Sequence, residues 1–290
     1  MYPGTDAARA EKLVDEIAGT GANAVALVAS WRQKTVRSSS MSPGDVTVDD
    51  DVLRAAIARA NHNGLTAVVF PILLVDQTEV GQWRGTARPR NVSKWWLAYE
   101  RFILHYAAIA AAEGAGGLVI GSEMSSTESW RDRWYHLISK VERAFDGTLI
   151  YSANWDHYQH VSFWRRVDVV GVTGYQPLAK RSDAGQRELT QSWQRARKTL
   201  VDFAAEHGKP LWITEVGYTA IDGTATAPWD YTRDGKRDED EQRRCYQAFA
   251  ATWTDAGELA GALFWNWSDP AYTPRDRPAE KVMRRWLTSF

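Results

Sequence analysis

Two glutamates stand at the ends of apolar runs, where an acidic side chain is unusual. Glu123 ends the run GLVIGSE, and Glu215 ends the run LWITE. An ionised carboxylate on an apolar strand costs free energy unless it is paired or carries out chemistry. Each glutamate alone has a structural explanation: Glu123 could lie in a first helical turn capped by Ser122, and Glu215 could hold an arginine inside the fold. The two become a candidate catalytic pair only if the fold brings them together.

Aromatic side chains follow most of the same apolar runs. A single such ring is usually a core residue, but loops rarely bury this much ring area. Stacked rings at the rim of a cleft suit the flat CH faces of sugars. The candidate rim rings are Trp31, Trp83, Trp155, Tyr175, Trp265 and Trp267.

The elements that must position these residues alternate along the chain. Near-continuous apolar runs predict parallel strands covered on both faces, at 22–30, 65–74, 117–122, 148–154, 167–175, 210–218 and 261–267. Helical spacing of apolar residues predicts helices between and after them, at 6–19, 49–61, 94–113, 129–145, 191–207, 238–256 and 279–288. Strand–helix alternation of this kind predicts a doubly wound sheet or a closed (β/α) barrel.

The barrel is favoured, because neither a G-x-G-x-x-G turn after the first run nor a P-loop is present. Met1–Gly4 could be the end of a short or truncated first strand. Glu123 then follows the fourth strand and Glu215 the seventh, and these strands face one another across the barrel mouth. We therefore predict an α/β fold, a single (β/α)8 TIM barrel forming one catalytic domain over residues 1–290, in which two carboxyls converge on a glycosidic bond.

Composition excludes several function classes. The chain has 35 Lys+Arg and 36 Asp+Glu, a net charge of −1, which argues against nucleic-acid binding and against a polybasic membrane-surface protein. No apolar run approaches the roughly 20 residues of a membrane span. We expect a polysaccharide or oligosaccharide partner, no nucleic acid and no membrane insertion, with the oligomeric state left open.

The sequence lacks the residues that several other catalytic mechanisms require. A single cysteine, Cys245, excludes an internal disulfide and a cysteine metal cluster, and no G-x-S-x-G elbow is present. Three of the six histidines fall in helical patterns and His62 sits at a helix stop, while His157 and His160 beside Asp156 fit a loop better than a ligand set. We therefore expect no metal and no cofactor.

Several longer motifs resemble one family. IGSEM, YSANWDHY, VSFWRRVDVVGVTGYQPL, PLWITEVGY with DGTATAPWDY, and GALFWNW are similar to glycoside hydrolase family 113. That family belongs to a clan of retaining (β/α)8 barrel glycosidases, and its characterised members are endo-β-1,4-mannanases. The resemblance runs from about Trp83 to the C-terminus and is weaker before it.

The resemblance implies roles for individual residues. Glu123 takes the place of the acid/base, Glu215 that of the nucleophile, and Tyr175 that of the tyrosine that orients the nucleophile. The implied mechanism is a double displacement with the carboxyls about 5–5.5 Å apart, Glu123 starting protonated and Glu215 ionised. The expected substrate contacts are Trp31, Trp83, Arg84, Ser122, Asn154, Trp155, Asp156 and Trp265.

Three departures from the clan pattern leave the sugar open, and one of them is that the loop after the third strand, PILLVDQTEVGQWRG, is more apolar than expected. Ser122 stands where most clan members have asparagine before the acid/base, and the first strand is abbreviated. The alternatives are a hydrolase of another β-glycan or of a bacterial exopolysaccharide, or a non-catalytic carbohydrate-binding barrel within a larger protein. No signal peptide is visible, and the substrate class favours an extracellular or cell-envelope location.

Overall fold

The computed structural model describes residues 5–45 and 47–289. They divide into two compact units. The first carries the described chain up to Val169 apart from Gly19–Ala22, and the second carries Gly19–Ala22 and the chain from Val170 onward. Among the described helices, none is both long enough and apolar enough to cross a bilayer.

The first unit repeats a strand–helix motif. Its strands are β1 (Ala24–Thr35), β2 (Thr66–Gln77), β3 (Gly117–Ser122) and β4 (Thr148–Ala153), and its helices are α1 (Ala7–Ala18), α2 (Asp50–His62), α3 (Val92–Ala112) and α4 (Arg131–Val141). The four strands pair in chain order, and every pairing is parallel. Their carboxyl ends therefore lie along one edge of this part of the sheet.

The second unit continues the same motif. Its strands are β5 (Val169–Thr173), β6 (Leu211–Val216) and β7 (Leu259–Phe264), and its helices are α5 (Gln186–His207), α6 (Glu239–Trp253) and α7 (Pro278–Leu287). These strands also pair in parallel and in chain order. Gly208 ends α5 in the left-handed region at φ 61°, which glycine adopts at little cost.

Much of the aromatic content packs between strands and helices. Trp95 and Tyr99 of α3 stack with ring centroids 5.2 Å apart, and Trp134 of α4 packs edge-on against Tyr99 at 5.7 Å. All three side chains are almost completely buried. Burying a large apolar side chain stabilises a fold by roughly 1.5–3 kcal/mol, so this cluster is a main contributor to the first unit's core. It accounts for part of the high tryptophan content without any role in binding.

The predicted fold class is confirmed. Seven parallel strands alternate with helices in the order of a (β/α)8 barrel, and β3 and β6 are the fourth and seventh strands of the prediction. The short first strand predicted at Met1–Gly4 lies outside the described residues. Several boundaries were wrong by a few residues. The largest errors are at β1, which does not end at residue 30 but continues to Thr35, and at α5, which begins at Gln186 and not at residue 191.

Candidate active site

Glu123 sits directly after β3 in a constrained backbone conformation. Its φ is 51°, in the left-handed region that non-glycine residues rarely adopt. Its N–H donates to the carbonyl of Ser152 in β4 at 2.7 Å, and the residue is only 7% exposed. Backbone strain of this kind persists only where the surroundings hold it, and it is concentrated at functional sites.

Arg84 binds the carboxylate of Glu123. Its Nη2 donates to Glu123 Oε2 at 2.6 Å, and its Nε donates to the carbonyl of Ser122 at 3.1 Å. The two side chains are 19% and 10% exposed, so the pair is largely shielded from water. The guanidinium thus fixes the end of β3 and holds the Glu123 side chain in one orientation.

A buried polar network holds the residues that follow Glu123. The hydroxyl of Tyr151 in β4 accepts the N–H of Met124 at 3.1 Å and donates to Glu128 Oε1 at 2.7 Å. The other carboxylate oxygen of Glu128 contacts His157 Nδ1. Burial raises the pKa of Glu128 above its ordinary value, and the hydrogen bonds from Tyr151 and His157 oppose that shift. Sequence reasoning missed this network.

In the second unit, Glu215 ends β6 beside Tyr175. The hydroxyl of Tyr175 donates to Glu215 Oε2 at 3.3 Å, and the two residues are 7% and 4% exposed. The N–H of Gly174 donates to the carbonyl of Glu215 at 2.6 Å, so the backbone after β5 is tied to β6 at this point. A buried carboxylate that accepts a tyrosine hydroxyl is held in one orientation.

Trp265 is positioned by a close backbone approach. Its N–H donates to the carbonyl of Val216 at 2.8 Å, just after β7. A Cβ at Gly217 would lie 1.8 Å from the carbonyl oxygen of Trp265, so only glycine fits there. The indole of Trp265 is half-buried.

The loop that follows β6 is anchored by a buried acid. Glu241 on α6 accepts the N–H groups of Gly223 at 2.6 Å and Ala225 at 3.0 Å. Burial raises its pKa, and these two hydrogen bonds partly offset the shift. Asp222 and Asp238 bring oxygens within 4.8 Å of Glu241, but the Glu241 oxygens already bind this loop.

The remaining predicted substrate contacts have different environments. Asn154 and Trp155 are half-buried after β4, Asp156 is exposed, and Trp83 is half-buried with its ring against Gly85. Each is partly accessible, as a sugar contact requires.

Trp31 is placed differently from the prediction. It lies within β1 rather than after it, and its ring packs against Phe102 and His105 of α3 at 5.3 and 5.8 Å. Its ring therefore faces a helix and belongs to the packing of the first unit. Its predicted position after the strand was wrong because β1 continues for several polar residues beyond its apolar run, and its predicted contact with substrate stays a prediction.

Comparison with known proteins agrees with the motifs. The model of Glycoside Hydrolase Family 113 matches residues 4–283. No curated protein has a significant match to the sequence.

Solved structures share the fold over nearly the whole chain. A GH113 beta-1,4-mannanase solved as a complex is 23% identical, with a TM-score of 0.87 over 100% of this chain and 96% of its own. The GH113 beta-mannanase AaManA from Alicyclobacillus acidocaldarius, in complex with ManMIm, is 27% identical, with a TM-score of 0.85 over 98% of this chain and 92% of its own. A GH5_18 protein from Bifidobacterium longum subsp. longum, in complex with Manβ1-4GlcNAc, is 12% identical, with a TM-score of 0.67 over 99% and 74%.

Proposed function

The chain belongs to glycoside hydrolase family 113, and from that membership we propose that it hydrolyses β-1,4-mannan within the polymer, with retention of anomeric configuration. Two of the similar structures carry the name mannanase, and one of them is 27% identical over 98% of this chain. The alternative of a non-catalytic binding barrel is not favoured. The observation that carries the proposal is a buried glutamate at the end of β6 that accepts a hydrogen bond from Tyr175.

In the proposed first step, Glu215 attacks the anomeric carbon and Glu123 protonates the leaving oxygen. The bond from the anomeric carbon to that oxygen breaks as the bond to the Glu215 carboxylate forms. Tyr175 holds one oxygen of the Glu215 carboxylate in place, so the carboxylate needs little reorganisation before its other oxygen attacks.

In the proposed second step, Glu123 takes a proton from water while that water attacks the glycosyl–enzyme ester. Glu215 leaves as a carboxylate, and the sugar regains its β configuration. Arg84 contacts the Glu123 carboxylate from which this step starts. Retention further predicts carboxyls about 5–5.5 Å apart.

Substrate contacts are proposed for residues near these strand ends, most of them half-buried or exposed, whereas Ser122 is only 2% exposed and accepts a hydrogen bond from Arg84 Nη2 at 3.4 Å. Trp83, Trp155 and Trp265 would stack on pyranose faces, while Ser122, Asn154 and Asp156 would bind hydroxyls. Mannose and glucose differ only at C2, so the choice between them depends on a few of these hydrogen bonds.

The test separates catalysis from binding. Wild-type protein should release reducing ends from β-mannan, and Glu215→Ala and Glu123→Ala should not. With an activated aryl β-mannoside and added azide, Glu215→Ala should yield the α-mannosyl azide, because azide replaces the missing carboxylate in the first step. Glu123→Ala should yield the β-mannosyl azide, because azide replaces water in the second step. An initial product of α configuration from the wild type would contradict retention.

We also propose that residues 1–290 act as one catalytic domain. We further propose that the protein acts outside the cytoplasm, because polysaccharides do not enter cells intact. Fractionation of the producing cells tests the location: recovery only from the cytosol would contradict it.

A further inference from the structure

An open cavity of about 680 Å³ lies in the first unit, beside the carboxyl ends of β1 and β2. Its walls are the end of β1 with the turn after it, and the loop after β2. The volume is in the range of small-molecule sites. None of the sugar contacts proposed above lines it.

The cavity carries a local excess of positive charge. Lys34, Arg37 and Arg90 line it against a single acid, Glu79, so its formal charge is 3 − 1 = +2 in a chain of net charge −1. In the described part of the chain, none of these three cations is in an ion pair. Glu79 instead accepts a hydrogen bond from Gln82 at 3.0 Å.

Hydrogen bonds hold the backbone that carries these cations. The N–H of Arg90 donates to the carbonyl of Arg37 at 3.1 Å, which places the two arginines on adjoining backbone. Within the turn, Ser38 Oγ accepts the N–H of Thr35 at 3.0 Å, and Thr35 Oγ1 accepts the N–H of Arg37 at 3.2 Å. The turn is therefore fixed by its own side chains, and little ordering is left for a ligand to impose.

One loop joins this cavity to the proposed acid/base. Gln82 lines the cavity, and Arg84, two residues later, donates to Glu123 at 2.6 Å. Because β1, β2 and β3 are parallel, the cavity and Glu123 lie on the same edge of the sheet. A glycan chain bound at Glu123 can extend toward the cavity.

We propose that this cavity binds an anionic group carried by the glycan, such as a uronate carboxylate or a sulfate or phosphate ester. Arginine and lysine side chains are the groups that proteins use to bind such anions, whereas a neutral mannan offers them hydroxyls but no anionic partner. This inference rests on the proposed function for the identity of the rest of the substrate.

The test uses two ligands that differ only at C6. β-1,4-linked mannuronate hexasaccharide carries a carboxylate where mannohexaose carries a hydroxymethyl group. Binding of each is measured by calorimetry in a Glu215→Gln background, so that no ligand is consumed. We expect about tenfold tighter binding of the mannuronate at low salt, with the preference shrinking as salt is added.

The matched variants locate the effect. Arg37→Gln with Arg90→Gln should abolish the preference and leave mannohexaose binding unchanged, whereas Arg165→Gln, an exposed arginine outside the cavity, should keep it. Equal affinity for the two ligands, or a preference that survives in the double variant, overturns the proposal. Inorganic sulfate binding as tightly as the mannuronate would also overturn it, because the cavity would then be a free-anion site.

Hydrolysis of neutral mannan by the wild type is measured separately. If mannan is not cleaved while the anion preference follows Arg37 and Arg90, the proposed function fails and the anion site stands. If mannan is cleaved and no preference appears, the proposed function stands and the anion site fails.

Discussion

Tyr151→Phe removes the hydroxyl that connects the backbone after Glu123 to the buried Glu128. Two hydrogen bonds are lost, one from the Met124 N–H at 3.1 Å and one to the Glu128 carboxylate at 2.7 Å. A neutral hydrogen bond contributes about 1 kcal/mol and one to a charged group about 1.5–3 kcal/mol, so the free energy of unfolding should fall by about 2.5–4 kcal/mol.

Tyr99→Phe is the matched control. Tyr99 is as deeply buried in the same unit, and its hydroxyl makes one neutral hydrogen bond, to the carbonyl of Ile120 at 3.0 Å. Its loss should cost about 1 kcal/mol. Urea unfolding followed by tryptophan fluorescence measures both variants under the same conditions.

Activity distinguishes positioning from stability. In Tyr151→Phe, kcat on mannan should fall roughly ten- to a hundredfold with little change in KM, because Glu123 lies beside the released Met124 and small misplacements slow catalysis strongly. In Tyr99→Phe, kcat should stay near that of the wild type. Equal losses of stability in the two variants, or an unchanged kcat in Tyr151→Phe, would refute the reasoning.

Three other perturbations have outcomes set by single contacts. Tyr175→Phe should lower kcat/KM by about tenfold and lower Tm by less than Tyr151→Phe does, since it deletes one hydrogen bond to the proposed nucleophile and no apolar packing; an unchanged kcat/KM in steady-state kinetics, or a larger fall in a thermal melt, would contradict this. Gly217→Ala should yield no soluble folded protein, because its Cβ would lie 1.8 Å from a carbonyl oxygen, whereas Gly185→Ala, with open space around it, should express normally; comparable yields of the two would contradict this. Burial raises the pKa of Glu128 above its ordinary value of 4.5, so the folded state holds that proton more tightly than the unfolded chain and stability falls as pH rises past 4.5; Glu128→Gln should flatten this fall of the unfolding free energy above pH 4.5, and an unchanged slope would argue against it.

Apolar runs located the strands because buried parallel strands need them on both faces. β3 begins and ends at the predicted residues. β1 runs past its apolar run because its polar end is stabilised by other elements. Its Arg32 pairs with Asp76 at the end of β2, and its Gln33 accepts the indole N–H of Trp95 on α3 at 2.7 Å. These partners are distant in the chain, so the local pattern of apolar residues could not predict that the strand continues.

The sequence allowed two acids of the candidate site to be predicted, but not a third. Glu123 and Glu215 stood out because each follows an uninterrupted apolar run. Glu128 follows polar residues in a short turn, and its complete burial depends on Tyr151 and His157, which β4 and its loop supply. A buried carboxylate whose donors come from another strand gives no pattern in its own neighbourhood.

Arg84 acts in opposite senses on the two proposed chemical steps. In the first, Glu123 begins protonated and becomes a carboxylate as it gives its proton away, so a guanidinium 2.6 Å from its oxygen stabilises the charge that develops in the transition state. In the second, Glu123 begins as the carboxylate and loses that charge, so the same contact stabilises the ground state and opposes the step. In the proposed mechanism the pair therefore promotes formation of the glycosyl–enzyme and restrains its hydrolysis. Through Arg84, the loop after β2 would then influence the balance between the two steps.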